Sequence, residues 1–157
     1  MAGGHVMKLA AIWKIFALFV ISTFPACAAY RTYHQVSFID PPCIIPHKGF
    51  EYRTCQNINV KIDDNDVTIP LGFQTDLASI PRIFWNILPP QQADFVGPAI
   101  LHDWMYATGY QTRAYDDDVL YWSLRQQGAM WITANIIWLG VRFGGASHFS
   151  EKKDVNT

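Results

Sequence analysis

The sequence predicts an α+β fold in which a small β-hairpin region is followed by a three-helix core, with an N-terminal signal segment ahead of both. Three observations predict it. Asn57–Ile62 and Val67–Pro70 alternate polar and apolar residues on either side of Asp63–Asp66, the pattern of two strands joined by a turn. Between Gly97 and Phe143, apolar residues recur at helical spacing in three runs broken at Gly109 and Gly128. Near the N-terminus, Lys8 and Lys14 flank the entry to an apolar run, Ile15–Phe24, which small residues follow.

The N-terminal pattern divides the chain into residues 1–28 (signal segment), 29–56 (a Pro-rich region), 57–146 (core domain) and 147–157 (a loose tail). The apolar run suits a signal peptide and is shorter than the roughly 20 residues a spanning helix needs. Met7-Lys8 is a better start for such a segment than Met1. Two processing routes fit. Ala26-Cys27-Ala28 obeys the small-x-small rule and would release a periplasmic protein beginning at Ala29. Phe24-Pro25-Ala26-Cys27 is a weak lipobox that would make Cys27 a lipid-modified first residue. Either route leaves Cys43 and Cys55, and an oxidising compartment favours their pairing as a disulfide.

Composition supplies ample core material, with 50% hydrophobic and 15% aromatic residues in 157, the size of one domain. Without Lys8 and Lys14 the chain keeps ten basic residues against 13 acidic ones, a net charge of -3. That balance lacks the basic face of a nucleic-acid binder.

Each element has its own signals. Residues 29–52 read as irregular, with Pro41, Pro42 and Pro46 and short extended pieces such as Gln35–Ile39. Asp63–Asp66 is turn chemistry, since it lacks the spaced ligands and distal Glu of a calcium loop. The first helix is expected over Gly97–Thr108, with Pro98 in its first turn and Gly109 as its stop. The second is expected over Arg113–Gln127, with Thr112 as N-cap and Gly128 as stop. The third, Met130–Phe143, is apolar almost all round, so it is either central to the core or packed on a partner.

Helical spacing places Ala99, His102, Asp103 and Tyr106 on one stripe of the first helix, and Asp117, Leu120, Tyr121 and Leu124 on one stripe of the second. Two helices joined by a short loop pack antiparallel, stripe to stripe, so Asp117 is expected to face His102. A carboxylate that fixes the tautomer of a half-buried imidazole is what general base catalysis requires. His102, Asp117 and Tyr106 are therefore the candidate catalytic residues. Asp103 and Asp76 are candidate ligands of a divalent cation such as calcium, with Thr75 and Ser79 on the preceding loop as supporting groups. Arg113 lies near the same helix ends and would compete for the cation position. Asp116 and Asp118 read as solvated groups favoured by the helix N-terminus, and His34, His47 and His148 as surface residues. The tryptophans, among them Trp85, Trp104, Trp122, Trp131 and Trp138, read as packing groups. A polar network that only fixes helix register would show the same residues.

With these residues in view, the segment from Ile69 to Phe143 resembles the uncharacterised phage and bacterial family called domain of unknown function 1353. The resemblance is carried by Pro70–Pro81, by Ala99–Tyr106, by Arg113 with Asp117, and by Val141–Gly144. It implies a fold and a site region, and no activity. A local second resemblance is to the helix pair of secreted phospholipase A2. It implies that His102 activates water, Asp103 binds calcium and Asp117 orients the histidine, with Tyr106 in support. The flanking half-cystines of that family are absent here, and its Gly-rich calcium loop is not recognisable, with Gly72–Ser79 no more than a candidate substitute.

The expected function is an exported cell-envelope protein acting as a binding or accessory component of an envelope, secretion or phage-derived assembly. Protein partners in the envelope and membrane attachment through a lipid anchor would go with it. The alternative is a metal-assisted, calcium-type hydrolase of lipid or other esters built on the His-Asp site.

Overall fold

The computed structural model describes residues 31–77 and 93–150. The expected signal segment, Cys27, Ser79, Arg82 and the apolar stretch Ile83–Leu88 lie outside the described residues. Within them the fold is α+β, two small antiparallel sheets followed by three helices. Six strands are present: β1 (Val36–Phe38), β2 (Ile44–Lys48), β3 (Glu51–Thr54), β4 (Ile58–Ile62), β5 (Asn65–Ile69) and β6 (Gln74–Thr75). The helices are α1 (Ala93–Thr108), α2 (Arg113–Gln126) and α3 (Trp131–Gly144), and a 3-10 turn covers Gly145–His148.

The expected hairpin is β4–β5, and its turn is tighter than Asp63–Asp66 suggests. Ile62 pairs with Asn65, so only Asp63 and Asp64 turn, and Asn65 and Asp66 belong to the strand. Asp63 takes the left-handed φ of 52° that Asp tolerates better than most side chains. Its carboxylate also accepts the Gln35 amide and His34 Nδ1, each at 2.8 Å. Those bonds bring β1 alongside β4, in sheet order β1-β4-β5. The side chains of Ile58, Val60, Ile62, Val67 and Ile69 all point to one buried face, as period-two alternation requires. That face packs on Ile100, Leu101 and Met105 of α1.

Residues 31–56 are less irregular than their prolines imply. β2 and β3 form a second hairpin, completed by β6 in the order β2-β3-β6. Pro46 is tolerated because β2 is an edge strand with a register shift between Pro46 and Lys48. Gly49, at φ 62°, makes the turn. Cys43 and Cys55 form the expected disulfide at the open end of this hairpin, with Cα atoms 5.4 Å apart.

α1 begins a turn earlier than expected, at Ala93, so Pro98 sits in its second turn. The missing Pro98 N–H costs one bond, to the Asp94 carbonyl four residues back. Gly97 beside it allows close packing, because a Cβ there would lie 2.9 Å from Pro42 Cγ and 3.1 Å from the Phe38 ring. Thr112 caps α2 as expected, its hydroxyl accepting the Tyr115 amide at 3.3 Å. Gly128, at φ 105°, ends it. A second core cluster joins α2 to α3 through Leu120, Tyr121, Leu124, Ala134, Ile137 and Val141, and Phe95 of α1 closes it. α3 buries one face only, leaving Trp131 and Ile132 about half exposed. Among the described residues no helix is long and apolar enough to cross a membrane.

Two long-range ties complete the fold. The Gln126 side chain accepts the Val36 amide at 2.9 Å and donates to the His34 carbonyl at 2.7 Å, joining the end of α2 to β1. At the C-terminal end, residues 145–150 are docked, where the sequence suggests a loose tail. The Ser150 amide donates to the Tyr106 carbonyl at 2.9 Å, and Phe149 packs edge-on against the Tyr106 ring.

The disulfide closes a loop of 12 residues' separation, which loop-closure entropy values at about 3 kcal/mol. Replacing both Cys43 and Cys55 by Ser should lower unfolding stability by about that amount while the helical circular dichroism stays. A urea midpoint equal to the parent's would show that the disulfide contributes no stability.

Candidate functional site

The site is built on Asp117. The short loop after Gly109 folds α2 back on α1, and the helical stripe carrying Leu120 and Leu124 turns Asp117 inward with them. Its side chain is fully buried. A carboxylate in that position costs several kcal/mol unless charged and polar partners replace its water. Here three donors do so. His102 Nε2 lies 3.1 Å from Oδ1, the Tyr106 hydroxyl donates to the same oxygen, and Arg142 Nη1 donates to Oδ2 at 2.8 Å.

The electrostatics follow from that geometry. Burial pushes the Asp117 carboxyl up, but the bonds from His102, Tyr106 and Arg142 outweigh it and hold the group below the usual carboxylate range. Burial first, then the hydrogen bond to Asp117 and its charge, push the Tyr106 phenol far up, so it stays a donor. With Nε2–H directed at the carboxylate, the basic nitrogen of His102 is Nδ1. The His102 and Tyr106 rings pack in a tilted arrangement, with centroids 4.1 Å apart and planes at 42°, which further restricts the imidazole.

His102 and Tyr106 border a cleft of about 490 Å³, with Asp117 buried behind them. His102, Asp103 and Tyr106 line it from α1, Thr75 and Asp76 from the end of β6, and Glu51 from β3. The opposite wall is Gly140, Val141, Gly144 and Gly145, where the lack of side chains leaves the space open. The glycine at 145 also lets the chain cross Tyr106, since a Cβ there would lie 3.0 Å from its hydroxyl oxygen. The Thr75 hydroxyl donates to Asp103 Oδ2 and accepts the Leu77 amide at 3.1 Å, tying the strand end to α1.

The structure thus gathers His102, Asp103, Tyr106, Asp117, Thr75 and Asp76. Arg113 stands beside Tyr106 at the same site. Its Nη1 donates to the Arg142 carbonyl at 3.0 Å, and it acts on Tyr106 electrostatically. No group of three or more His, Cys, Asp or Glu side chains converges as a metal-binding set among the described residues, so Asp103 and Asp76 line the cleft without forming one. Ser79, the other expected supporting group, lies outside those residues.

Three readings of single residues change. Asp116 and Asp118 are buried, where the sequence suggests solvated groups. α3 packs against Asp118, whose carboxylate accepts Trp138 Nε1 at 3.1 Å, while Asp116 lies near Tyr110 and Tyr115, whose phenols feel its charge. His34 is buried against Tyr115, held by Asp63. His148 is exposed but lines the cleft. Sequence reasoning missed Arg142 altogether as a site residue. Its signal was a lone cation in the last turn of a largely apolar helix.

A family model described as protein of unknown function (DUF1353) matches residues 52–141, more than half of the chain. The match runs from β3 to the last turn of α3 and contains every cleft residue named from β6, α1 and α2. No curated protein and no solved structure matches the chain.

Asp116 differs from its neighbour in having no rescue. It is fully buried, and neither carboxylate oxygen has a hydrogen-bond partner. The Gln111 backbone pulls in the charge-favouring direction without completing a bond. Burial first and the Asp117 charge second push its carboxyl up to about 7. The folded state therefore holds this proton more tightly than the unfolded chain. Stability from this group is full below about pH 4 and is lost as pH rises to about 7, at roughly 1 kcal/mol per pH unit. Asp117 and Asp63, both lowered, lose their stabilisation at more acid pH, outside that window. In urea titrations, Asp116→Asn should flatten the decline between pH 4 and 7, and a parent-like slope would refute the assignment.

Proposed function

We propose a function for a chain that belongs to the DUF1353 family, described as proteins of unknown function: it is an exported envelope protein whose cleft hydrolyses an ester, with His102 as general base. One observation carries this reading. A buried imidazole, fixed by a fully buried carboxylate at 3.1 Å, borders an open cleft of about 490 Å³. A network serving only helix register has no need of a cleft beside it. In the reaction, His102 Nδ1 takes a proton from water, the resulting hydroxide attacks the ester carbonyl, and the imidazolium returns the proton to the departing alkoxide. Asp117 stabilises the imidazolium between these steps. The glycine-lined wall with Val141, and Phe73 and Ala107 nearby, suits an acyl chain, so lipid esters are among the substrates to try.

Export is supported by the charged and apolar N-terminal pattern and agrees with the Cys43–Cys55 disulfide. Processing at Ala28 or lipid attachment at Cys27 would leave the domain in the envelope. The second reading, a non-catalytic accessory component, draws on the exposed apolar side chains of Trp131, Ile132 and Phe143, which suit protein partners.

The test uses the purified full chain with p-nitrophenyl butyrate and with phosphatidylcholine vesicles, each with and without millimolar calcium. His102→Gln should lower the rate roughly a hundredfold or more while the fold remains. A calcium-stimulated rate that Asp103→Asn loses would place a cation at that carboxylate. Equal rates in parent and His102→Gln, or no hydrolysis of either probe, would remove the catalytic reading and leave the accessory one.

A further inference from the structure

Arg142 is the charged group that α3 contributes to the site, and it meets the carboxylate from the side opposite His102. Asp117 Oδ1 receives His102 and Tyr106, whereas Oδ2 receives Arg142 Nη1 at 2.8 Å. The carboxylate is therefore divided between two tasks, one oxygen for each. Arg142 is itself supported. Its carbonyl accepts Arg113 Nη1 at 3.0 Å, and its guanidinium lies 6.0 Å from the centre of the Trp138 ring. Its side chain is 32% exposed, so solutes can reach it, while Asp117 is shut off from solvent.

The terminal torsion of a carboxylate is soft and roughly two-fold. A carboxylate anchored by Oδ1 alone can swing, carrying its partner imidazole with it. Charge matters as well. A buried carboxylate with only neutral donors is an uncompensated anion, whereas a guanidinium at 2.8 Å balances it through a short, charge-assisted bond.

We propose that Arg142 is a positioning residue of the site: by holding Oδ2 it fixes the Asp117 carboxylate so that Oδ1 keeps the His102 ring in the Nε2–H tautomer, with Nδ1 as the basic nitrogen. This rests on the hydrolytic reading of the cleft for its purpose, and on the contacts alone for its physics. Arg142 touches neither the reacting water nor the substrate in this scheme. It acts through Asp117, and Arg113 steadies it from behind.

The experiment reads the ring proton of His102 directly. In the full chain labelled with 15N-histidine, a buried Nε2–H bonded to a carboxylate gives a downfield proton signal in slow exchange with solvent. His102→Gln assigns it. The His34 ring proton, bonded to Asp63 at 2.8 Å, serves as an internal reporter of folding. Arg142→Gln should speed exchange of the His102 proton at least tenfold and leave the His34 signal in place. In Arg142→Ala, millimolar guanidinium ion should restore slow exchange, because the vacated site is reachable from solvent. Should Arg142→Gln fail to fold, Arg142→Lys decides. Its ammonium keeps the charge without the planar fork, and a severalfold faster exchange is expected. His102 exchange as slow as the parent's in a folded Arg142→Gln or Arg142→Lys overturns the proposal. No substrate enters this measurement, so failure of the ester assay and failure of the exchange experiment can be told apart.

Discussion

One buried anion organises this domain. The Asp117 carboxylate is taken wholly out of water at the meeting of three helices, and each helix supplies part of its environment. α2 carries it, α1 brings His102 and Tyr106, and α3 brings Arg142. Apolar packing between Leu124, Ile137 and Val141 holds the helices together but tolerates sliding. Paired charges and directed hydrogen bonds do not, because a small shift leaves a charge unsatisfied in a low-dielectric interior. The apolar contacts therefore provide cohesion and the Asp117 network provides register. The same network delivers an oriented imidazole to the edge of a cleft, so one set of bonds serves fold and site together.

Three consecutive acids in α2 show how far local sequence determines electrostatic fate. Asp116, Asp117 and Asp118 are separated by about 100° steps around the helix. One meets three donors, one meets an indole N–H from Trp138, and one meets no hydrogen-bond partner at all. Helical periodicity identified Asp117 as inward-facing because it shares a stripe with Leu120 and Leu124. It misjudged the other two, since it sees one helix and knows nothing of what packs over the neighbouring faces, such as Trp138 of α3 beside Asp118. His34 was misread for the same reason. Nothing near it in the sequence discloses Asp63, 29 residues away.

Elsewhere the sequence was informative where a local physical rule acts alone. Alternation located β4 and β5, and the Thr112 hydroxyl and Gly128 located the ends of α2. The disulfide followed from two cysteines in a chain with an export-like leader. The β2–β3 hairpin was hidden by its prolines, whose usual meaning is suspended at an edge strand. Thr75, Asp103, His102 and Asp117 were legible as residue types, because polar groups on apolar stripes stand out. Arg142 was not, because its partner lies 25 positions earlier on another helix. The cleft was equally hidden, being defined by the absence of side chains along Gly140–Gly145 more than by any group present.

The Gln126 side chain has one further consequence. β1 is one of the two outer strands of its sheet, and an outer strand presents unpaired amides and carbonyls to which another polypeptide can add. Gln126 offers Val36 an acceptor and His34 a donor, so a single carboxamide imitates the next rung of the ladder. β2, one outer strand of the second sheet, is interrupted by Pro46 and its register shift. Two of the four sheet edges are thereby guarded against strand addition by different means, one by mimicry and one by irregularity. Templated self-assembly through β1 or β2 is discouraged when many copies crowd together.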